Sequence, residues 1–166
     1  MLNTKENIVM IGMPAVGKST VGEVLAHKLR YDYLDSDDVI ESREQKTLAQ
    51  IIETHGLDGF LNAEEQHVSS IECRKHVIAT GGSVVYSQKI MDHFRKNSVI
   101  IYLYVDLDIL LTRLTDMKSR GVAVGPGKSI KDLYDERTPL YEFYSDIKID
   151  CGRLTPEQVV EKIMSA

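Results

Sequence analysis

Apolar and polar positions follow two rhythms along this chain, short unbroken apolar runs and apolar residues at helical spacing. Asn7-Ile8-Val9-Met10-Ile11, unbroken apolar after Asn7, reads as a buried strand. Residues 18–29 follow with Val21, Val24, Leu25 and Leu29 near one-turn spacing, which predicts a helix. Residues 31–35 predict a short second strand ending in the acidic turn Asp35-Ser36-Asp37-Asp38. Helical segments are predicted over 38–44, over 48–53 behind a Thr47/Gln50 capping box, and over 57–74. Residues 76–80 read as a third strand closed by Gly81-Gly82, and 87–96 as a helix. The β-branched and Tyr-rich run 98–105 predicts a central strand, after which Asp106 caps a helix reaching about position 117.

Segment 118–128 breaks both rhythms. It carries Gly121, Gly125, Pro126 and Gly127, and its apolar residues keep no period, so a mobile surface loop is expected. Ser129 with Asp132 opens another helix, expected to be interrupted near Pro139. Residues 147–150 predict a fifth strand. Thr155, Pro156 and Gln158 then make a capped helix start with proline at the first helical position. Strands alternating with helices imply an α/β fold, a five-stranded parallel sheet with helices on both faces. Ligands of such sheets bind at the carboxyl ends of the strands. Segment 12–20, the 35–38 turn and Gly81-Gly82 each follow directly on a strand, so they are expected to converge.

Composition narrows the class. The 166 residues are read as a single domain, 1–166, long enough for one packed core. Hydrophobic residues at 43% and charged residues at 27% match a soluble globular protein. The net charge of −5 comes with no basic patch, so no nucleic-acid partner is expected. Cys73 and Cys151 form no C-x-x-C pair and read as small packing residues in a reducing compartment. The N-terminus lacks a signal-peptide pattern, and no apolar run approaches a bilayer span. A cytoplasmic location without a membrane partner is expected, and a chain of this size can work as a monomer.

The chemistry begins at Gly12-Met13-Pro14-Ala15-Val16-Gly17-Lys18-Ser19-Thr20. This stretch fits G-x-x-x-x-G-K-[ST] without mismatch and lies between the strand and the helix that a P-loop requires. Its glycines let the backbone form a nest of N–H groups for phosphate oxygens. Lys18 adds positive charge near the β- and γ-phosphates, and the Ser19 hydroxyl can ligate Mg²⁺. ATP and Mg²⁺ are therefore the expected cofactors, with Gly12, Ala15, Val16, Gly17, Lys18, Ser19 and Thr20 holding the nucleotide. Phosphoryl transfer also needs a group that deprotonates the acceptor and further cations for the developing charge. Asp37, just past the second strand, can accept a proton from a hydroxyl. Asp35 can help hold Mg²⁺, directly or through water. Such acids are also ordinary cap and turn residues, a role that suits Asp38 better than Asp37.

With these residues the chain resembles the shikimate kinase family, among the nucleoside-monophosphate-kinase-like P-loop proteins, over nearly its whole length. The resemblance includes the P-loop, Asp35-Ser36-Asp37, Gly81-Gly82, Arg113, Arg120 with Gly125-Pro126 behind it, and Glu136-Arg137-Thr138-Pro139-Leu140-Tyr141. It implies that Asp37 contacts substrate hydroxyls and serves as base, that Gly81 and Gly82 offer N–H groups to the substrate, and that Arg137 binds the substrate carboxylate. It implies too that Arg120 rides on a lid over about 118–128 and reaches the transferring phosphate on closure. Arg113, with the loop around Arg153 and Pro156, would edge the adenine. Lys18, Asp37 and Arg120 form the implied catalytic set. The implied reaction is ATP-dependent phosphorylation of a small hydroxy-acid, shikimate to shikimate 3-phosphate, in aromatic amino acid biosynthesis.

Two departures bear on the acceptor. The family usually has Phe-Arg, with a carboxylate three residues after the arginine, in the helix after the Gly56 turn. Here the stretch is Phe60-Leu61-Asn62-Ala63-Glu64, so Leu61 stands where a carboxylate-binding arginine is expected. The family's triple glycine is Gly81-Gly82-Ser83. An enzyme acting on a different small alcohol therefore stays open, as does a nucleotide-binding module without turnover. The module is disfavoured, because sensing ATP needs no acceptor-side Asp37 or Arg137. If another cation replaces the missing arginine, Arg43 and Lys46 are the nearest by sequence.

Overall fold

In the computed structural model, which describes residues 6–115 and 127–166, Asn7–Ile11 (β1) is buried at every position. It lies at the centre of a sheet completed by Asp32–Asp35 (β2), His76–Ala79 (β3), Ser98–Tyr104 (β4) and Ile147–Asp150 (β5). The order is β2-β3-β1-β4-β5 and every pairing is parallel. Val9 stands opposite Ile78 on one side and Ile100 on the other. The largely apolar β1 and β4 lie inside the sheet with β3, while β2 and β5, each half polar, form the edges. The connections wind from β1 toward β2 and β3 on one side and toward β4 and β5 on the other. A crevice therefore opens at the carboxyl end of β1.

Seven helices cover the sheet among the described residues: Lys18–Leu29 (α1), Ser36–Glu44 (α2), Leu48–Val68 (α3), Gln88–Asn97 (α4), Leu107–Thr115 (α5), Ile130–Tyr144 (α6) and Pro156–Ser165 (α7). The boxes Thr47/Gln50, Ser129/Asp132 and Thr155/Gln158 all form, each with both reciprocal hydrogen bonds. The core joins β1, β3 and β4 to Val21, Leu25, Ile40, Phe60, Ile90 and Val159 from the helices. Each such side chain contributes roughly 1.5–3 kcal/mol by leaving water, which fixes the strand ends that carry the site.

Three local expectations need correction. Segments 48–53 and 57–74 abut as one kinked helix, with Gly56 at φ 69° as the only non-helical residue inside it. That helix stops at Val68 rather than near 74. Ser70 Oγ bonds the His67 carbonyl, and Asn7 then brackets the chain by bonding the Cys73 carbonyl and the His76 N–H. Docking of β3 beside β1 thus overrides helical propensity. Pro139 does not interrupt α6. The carbonyl it leaves without a partner belongs to exposed Asp135, where water can bond it, and Leu133, Arg137, Tyr141 and Tyr144 anchor the opposite face. A short 3₁₀ turn at Val84–Tyr86 had no signal in the pattern.

Candidate functional site

The loop after β1 takes its shape from backbone that side chains disfavour. Gly12 has φ 147°, and a Cβ there would fall 2.6 Å from the Leu103 carbonyl oxygen of β4. Gly17, at φ 102°, starts α1 with no side-chain cap, so the N–H groups of the first turn face the loop's hollow. Lys18 is only 8% exposed, and its Nζ donates to the carbonyls of Gly12 and Met13 at 2.7 Å each. Burial holds its pKa down at about 8, against the pull of Asp37. A buried ammonium at an uncapped helix start fits a phosphate group.

The turn after β2 divides its acids by task. Asp35 caps α2, accepting from the Asp37 N–H at 2.9 Å through Oδ1, and its Oδ2 accepts from Ser19 Oγ at 3.2 Å. The capping and metal-binding readings of Asp35 therefore fall on one carboxylate, through different oxygens. Among the described residues no group of three or more His, Cys, Asp or Glu could hold a metal ion. A magnesium ion at Ser19 and Asp35 would have to complete its shell with phosphate and water oxygens, as this hard cation commonly does. Asp37 caps nothing. Its Oδ1 is buried without a hydrogen-bond partner, and burial, reinforced by the charge of Asp35, pushes its pKa up to about 6. Asp38 is exposed in the first turn of α2.

The acceptor side is built around Gly81-Gly82. The Gly81 N–H donates to Ser36 Oγ at 3.3 Å, so it is not free for a ligand as expected. What glycine provides here is room. A Cβ on Gly81 would lie 2.9 Å from Asp37 Oδ1 and 3.1 Å from Glu64 Oε1, and one on Gly82 would lie 2.8 Å from Arg137 Nη1. Arg137 is 5% exposed, and its Nε donates to Tyr86 Oη at 3.1 Å, with the guanidinium 5.2 Å from the Tyr86 ring centroid. It forms no ion pair with a carboxylate among the described residues. A buried cation of this kind is placed for an anion from outside the chain.

Comparison with known proteins gives this geometry a family. The family model for shikimate kinase matches residues 14–166. The chain belongs to the shikimate kinase family. Shikimate kinase of Thermodesulfovibrio yellowstonii is 38% identical over 96% of this chain and 93% of that relative. The enzyme of Caldanaerobacter subterraneus is 35% identical, over 97% and 95%. Among solved structures, shikimate kinase from Acinetobacter baumannii in complex with shikimate superposes with TM-score 0.86 at 27% identity, covering 99% of this chain and 93% of that one. Shikimate kinase from Aquifex aeolicus gives 0.80 at 30% identity, with 96% and 94% covered. As a shikimate kinase family member, the chain is an ATP-dependent phosphotransferase with a hydroxyl group as acceptor.

Of the remaining residues that the kinase family implied, Arg113 is firmly placed. Its guanidinium bridges the Val16 carbonyl at 3.1 Å and the Gly152 carbonyl at 2.9 Å, tying the P-loop to the turn before α7. Arg153 is exposed on that turn, and Pro156 is half-buried at the first position of α7. Arg120 and nearly all of the expected lid at 118–128 lie outside the described residues. Neither proposed substitute for the missing arginine reaches the site. Arg43 is exposed and bonds the His67 carbonyl and Ser70 Oγ, and Lys46 is exposed.

The pattern of the sequence also missed residues that the structure brings in. Ser83 Oγ lies 3.0 and 2.8 Å from the two oxygens of Glu64, which is 2% exposed. Tyr141 Oη donates to the Gly82 carbonyl at 2.6 Å. Spacing could flag Glu64 only as the acid one turn beyond Leu61. Its burial depends on the β3 turn closing over it.

Proposed function

We propose that this kinase transfers the γ-phosphate of ATP to a ring hydroxyl of shikimate, giving shikimate 3-phosphate. One observation carries the choice of acceptor: Arg137, a buried cation without a described carboxylate partner, shares the Gly81-Gly82 turn with Asp37, a half-buried carboxylate whose Oδ1 is buried without a hydrogen-bond partner. A hydroxy-acid supplies what each lacks, an anion for Arg137 and a hydroxyl for Asp37.

The roles follow from position. The 12–20 loop receives the phosphates, and Lys18 exchanges its two carbonyl partners for phosphate oxygens. Arg113, held between Val16 and Gly152, edges the adenine together with Arg153 and Pro156. Ser19 and Asp35 would hold Mg²⁺, which would supply charge neutralisation on the phosphates. Asp37 takes the proton of the attacking hydroxyl; its raised pKa makes it a better proton acceptor than an ordinary carboxylate. Arg120, which lies outside the described residues, supplies the remaining positive charge. The free thiols Cys73 and Cys151 support a reducing, cytoplasmic setting. A monomer as the working unit fits a site assembled from one chain.

A second reading, a different small alcohol as acceptor, draws on Leu61, packed against the core one turn before buried Glu64, neither of which supplies a cation to an incoming anion. ADP release measured with shikimate and with a panel of other hydroxy-acids and polyols separates the two. Turnover on shikimate with phosphate appearing on a ring hydroxyl is the expected result. Turnover confined to another alcohol overturns the choice of acceptor, and ATP binding without turnover on any overturns both.

A further inference from the structure

Glu64 is a buried acid that the roles above do not use. It projects from α3 and is 2% exposed. Both its oxygens lie within hydrogen-bond reach of Ser83 Oγ, at 3.0 and 2.8 Å. No cation among the described residues forms an ion pair with it. Its Oε1 and Asp37 Oδ1 both crowd the space over the Cα of Gly81, at 3.1 and 2.9 Å from where a Cβ would sit, so the two oxygens are at most about 6 Å apart. Among the described residues, the charged groups facing it are Asp37 at the start of α2 and Arg137 on α6, with Lys18 of α1 beyond Asp37. One turn back on its own helix stands Leu61, half-buried and uncharged.

We propose that the Glu64–Ser83 pair is a specificity-determining element that takes up a proton when the anionic acceptor binds, so that a proton does there what a cation at position 61 would do. This rests on the reading of the acceptor as shikimate. With Glu64 ionised, the incoming carboxylate meets two acids, Asp37 and Glu64, while among the described residues the cation facing Glu64 is Arg137 and Lys18 is committed to phosphate. Like charges at this range in a buried site favour protonation of one of them. Glu64 is the less solvated, and burial already raises its pKa to about 7, with the charge of Asp37 adding to the shift and Ser83 and Arg137 opposing it. The bookkeeping is one proton: Glu64 carboxylate, H⁺ and acceptor carboxylate give a complex holding Glu64 as the neutral acid. In that form Glu64 donates its O–H to Ser83 Oγ. The Ser83 O–H is then released to turn toward the acceptor.

Linkage gives the sign. Below about pH 7 Glu64 is already neutral and acceptor binding takes up no proton. Above it, the KM for shikimate rises, approaching tenfold per pH unit, because each binding event must first protonate the acid. The acceptor's own carboxylate is ionised throughout this range. The KM for ATP, whose phosphates bind the far side of the site, does not follow the same profile.

Steady-state kinetics with shikimate from pH 6 to 9 at saturating ATP provides the test on the wild type and on Glu64→Gln. The expected result is a shikimate KM that climbs above pH 7 in the wild type and stays flat in the variant. Calorimetry of shikimate binding in two buffers of different ionisation enthalpy counts protons directly on the wild type, so the test survives a variant that fails to fold. Uptake approaching one proton at pH 8.5 and near zero at pH 6 supports the proposal. A shikimate KM flat with pH, or binding without proton uptake, overturns it while leaving shikimate as substrate. Absence of both shikimate turnover and binding overturns the acceptor reading on which it rests.

Discussion

The hydroxyl of Tyr141 donates to the carbonyl of Gly82 at 2.6 Å, joining the middle of α6 to the turn that closes β3. Tyr141 is fully buried and stacks on Tyr102 at 5.1 Å between centroids, and Arg137 lies one helical turn before it. The bond therefore sets where α6 presents Arg137 over the Gly81-Gly82 turn.

Tyr141→Phe should keep the stacking but leave the half-buried Gly82 carbonyl without this donor. The expected cost is about 1–3 kcal/mol of stability, with a rise in the KM for the acceptor and little change in that for ATP. Urea unfolding and steady-state kinetics on the one variant check both halves. A rise in the ATP KM instead would place the main effect on the P-loop side.

Lys18→Ala should abolish turnover while the fold persists. Among the described residues the ammonium bonds carbonyls of its own loop, so removing it costs packing little. At the transition state the loss is expected to reach about 3 kcal/mol or more, at least two orders of magnitude in rate. Circular dichroism with ADP release on the best acceptor distinguishes a dead enzyme from an unfolded one.

Asp37→Asn should lower kcat by roughly 10²–10⁴-fold with only a small effect on ATP affinity. Because Asp35, not Asp37, caps α2, no capping energy is lost with it. The unfolding midpoint should therefore hold or rise slightly, as a half-buried carboxylate with an unpartnered Oδ1 loses its charge. A fall in stability with activity retained would return Asp37 to a structural role.

Glu64→Gln should change stability in a pH-dependent way. The folded-state pKa of about 7 lies above the ordinary 4.5. Below about pH 4.5 the acid is neutral whether folded or not, and it carries no penalty. Between there and pH 7 the folded chain binds more protons than the unfolded one, so stability falls as pH rises. Above pH 7 the full penalty stands, up to about 3 kcal/mol. Thermal melts should show the variant more stable than wild type at pH 8, with the gain shrinking toward pH 4.5.

Leu61→Arg should lower the KM for shikimate at pH 8 by about tenfold or more. A charge-assisted hydrogen bond to the acceptor's carboxylate contributes about 1.5–3 kcal/mol, and leucine offers none. Steady-state kinetics on both forms reads this directly. An unchanged KM would mean that the acceptor's carboxylate binds away from position 61.

What the sequence by itself determined was what local chemistry and period can carry. Short, largely apolar runs at 7–11 and 98–105, rich in β-branched residues, marked buried strands, because such a run is too short for a buried helix and suits a strand covered on both faces. Thr47/Gln50, Ser129/Asp132 and Thr155/Gln158 set helix starts, because a capping box closes within four residues. The 12–20 loop declared a phosphate site, because its backbone geometry and its lysine are contiguous. Tertiary structure decided the rest. Whether Pro139 breaks α6 depended on where Asp135 faces, and the length of α3 on the docking of β3 beside β1. The division of labour between Asp35 and Asp37 depended on which oxygen found Asp37's own N–H and which found Ser19. Glu64, Ser83, Tyr86 and Tyr141 joined the site only when α3, the β3 turn and α6 closed on Gly81-Gly82. Burial and the electrostatics it creates arise between segments distant in the chain, so no local pattern encodes them.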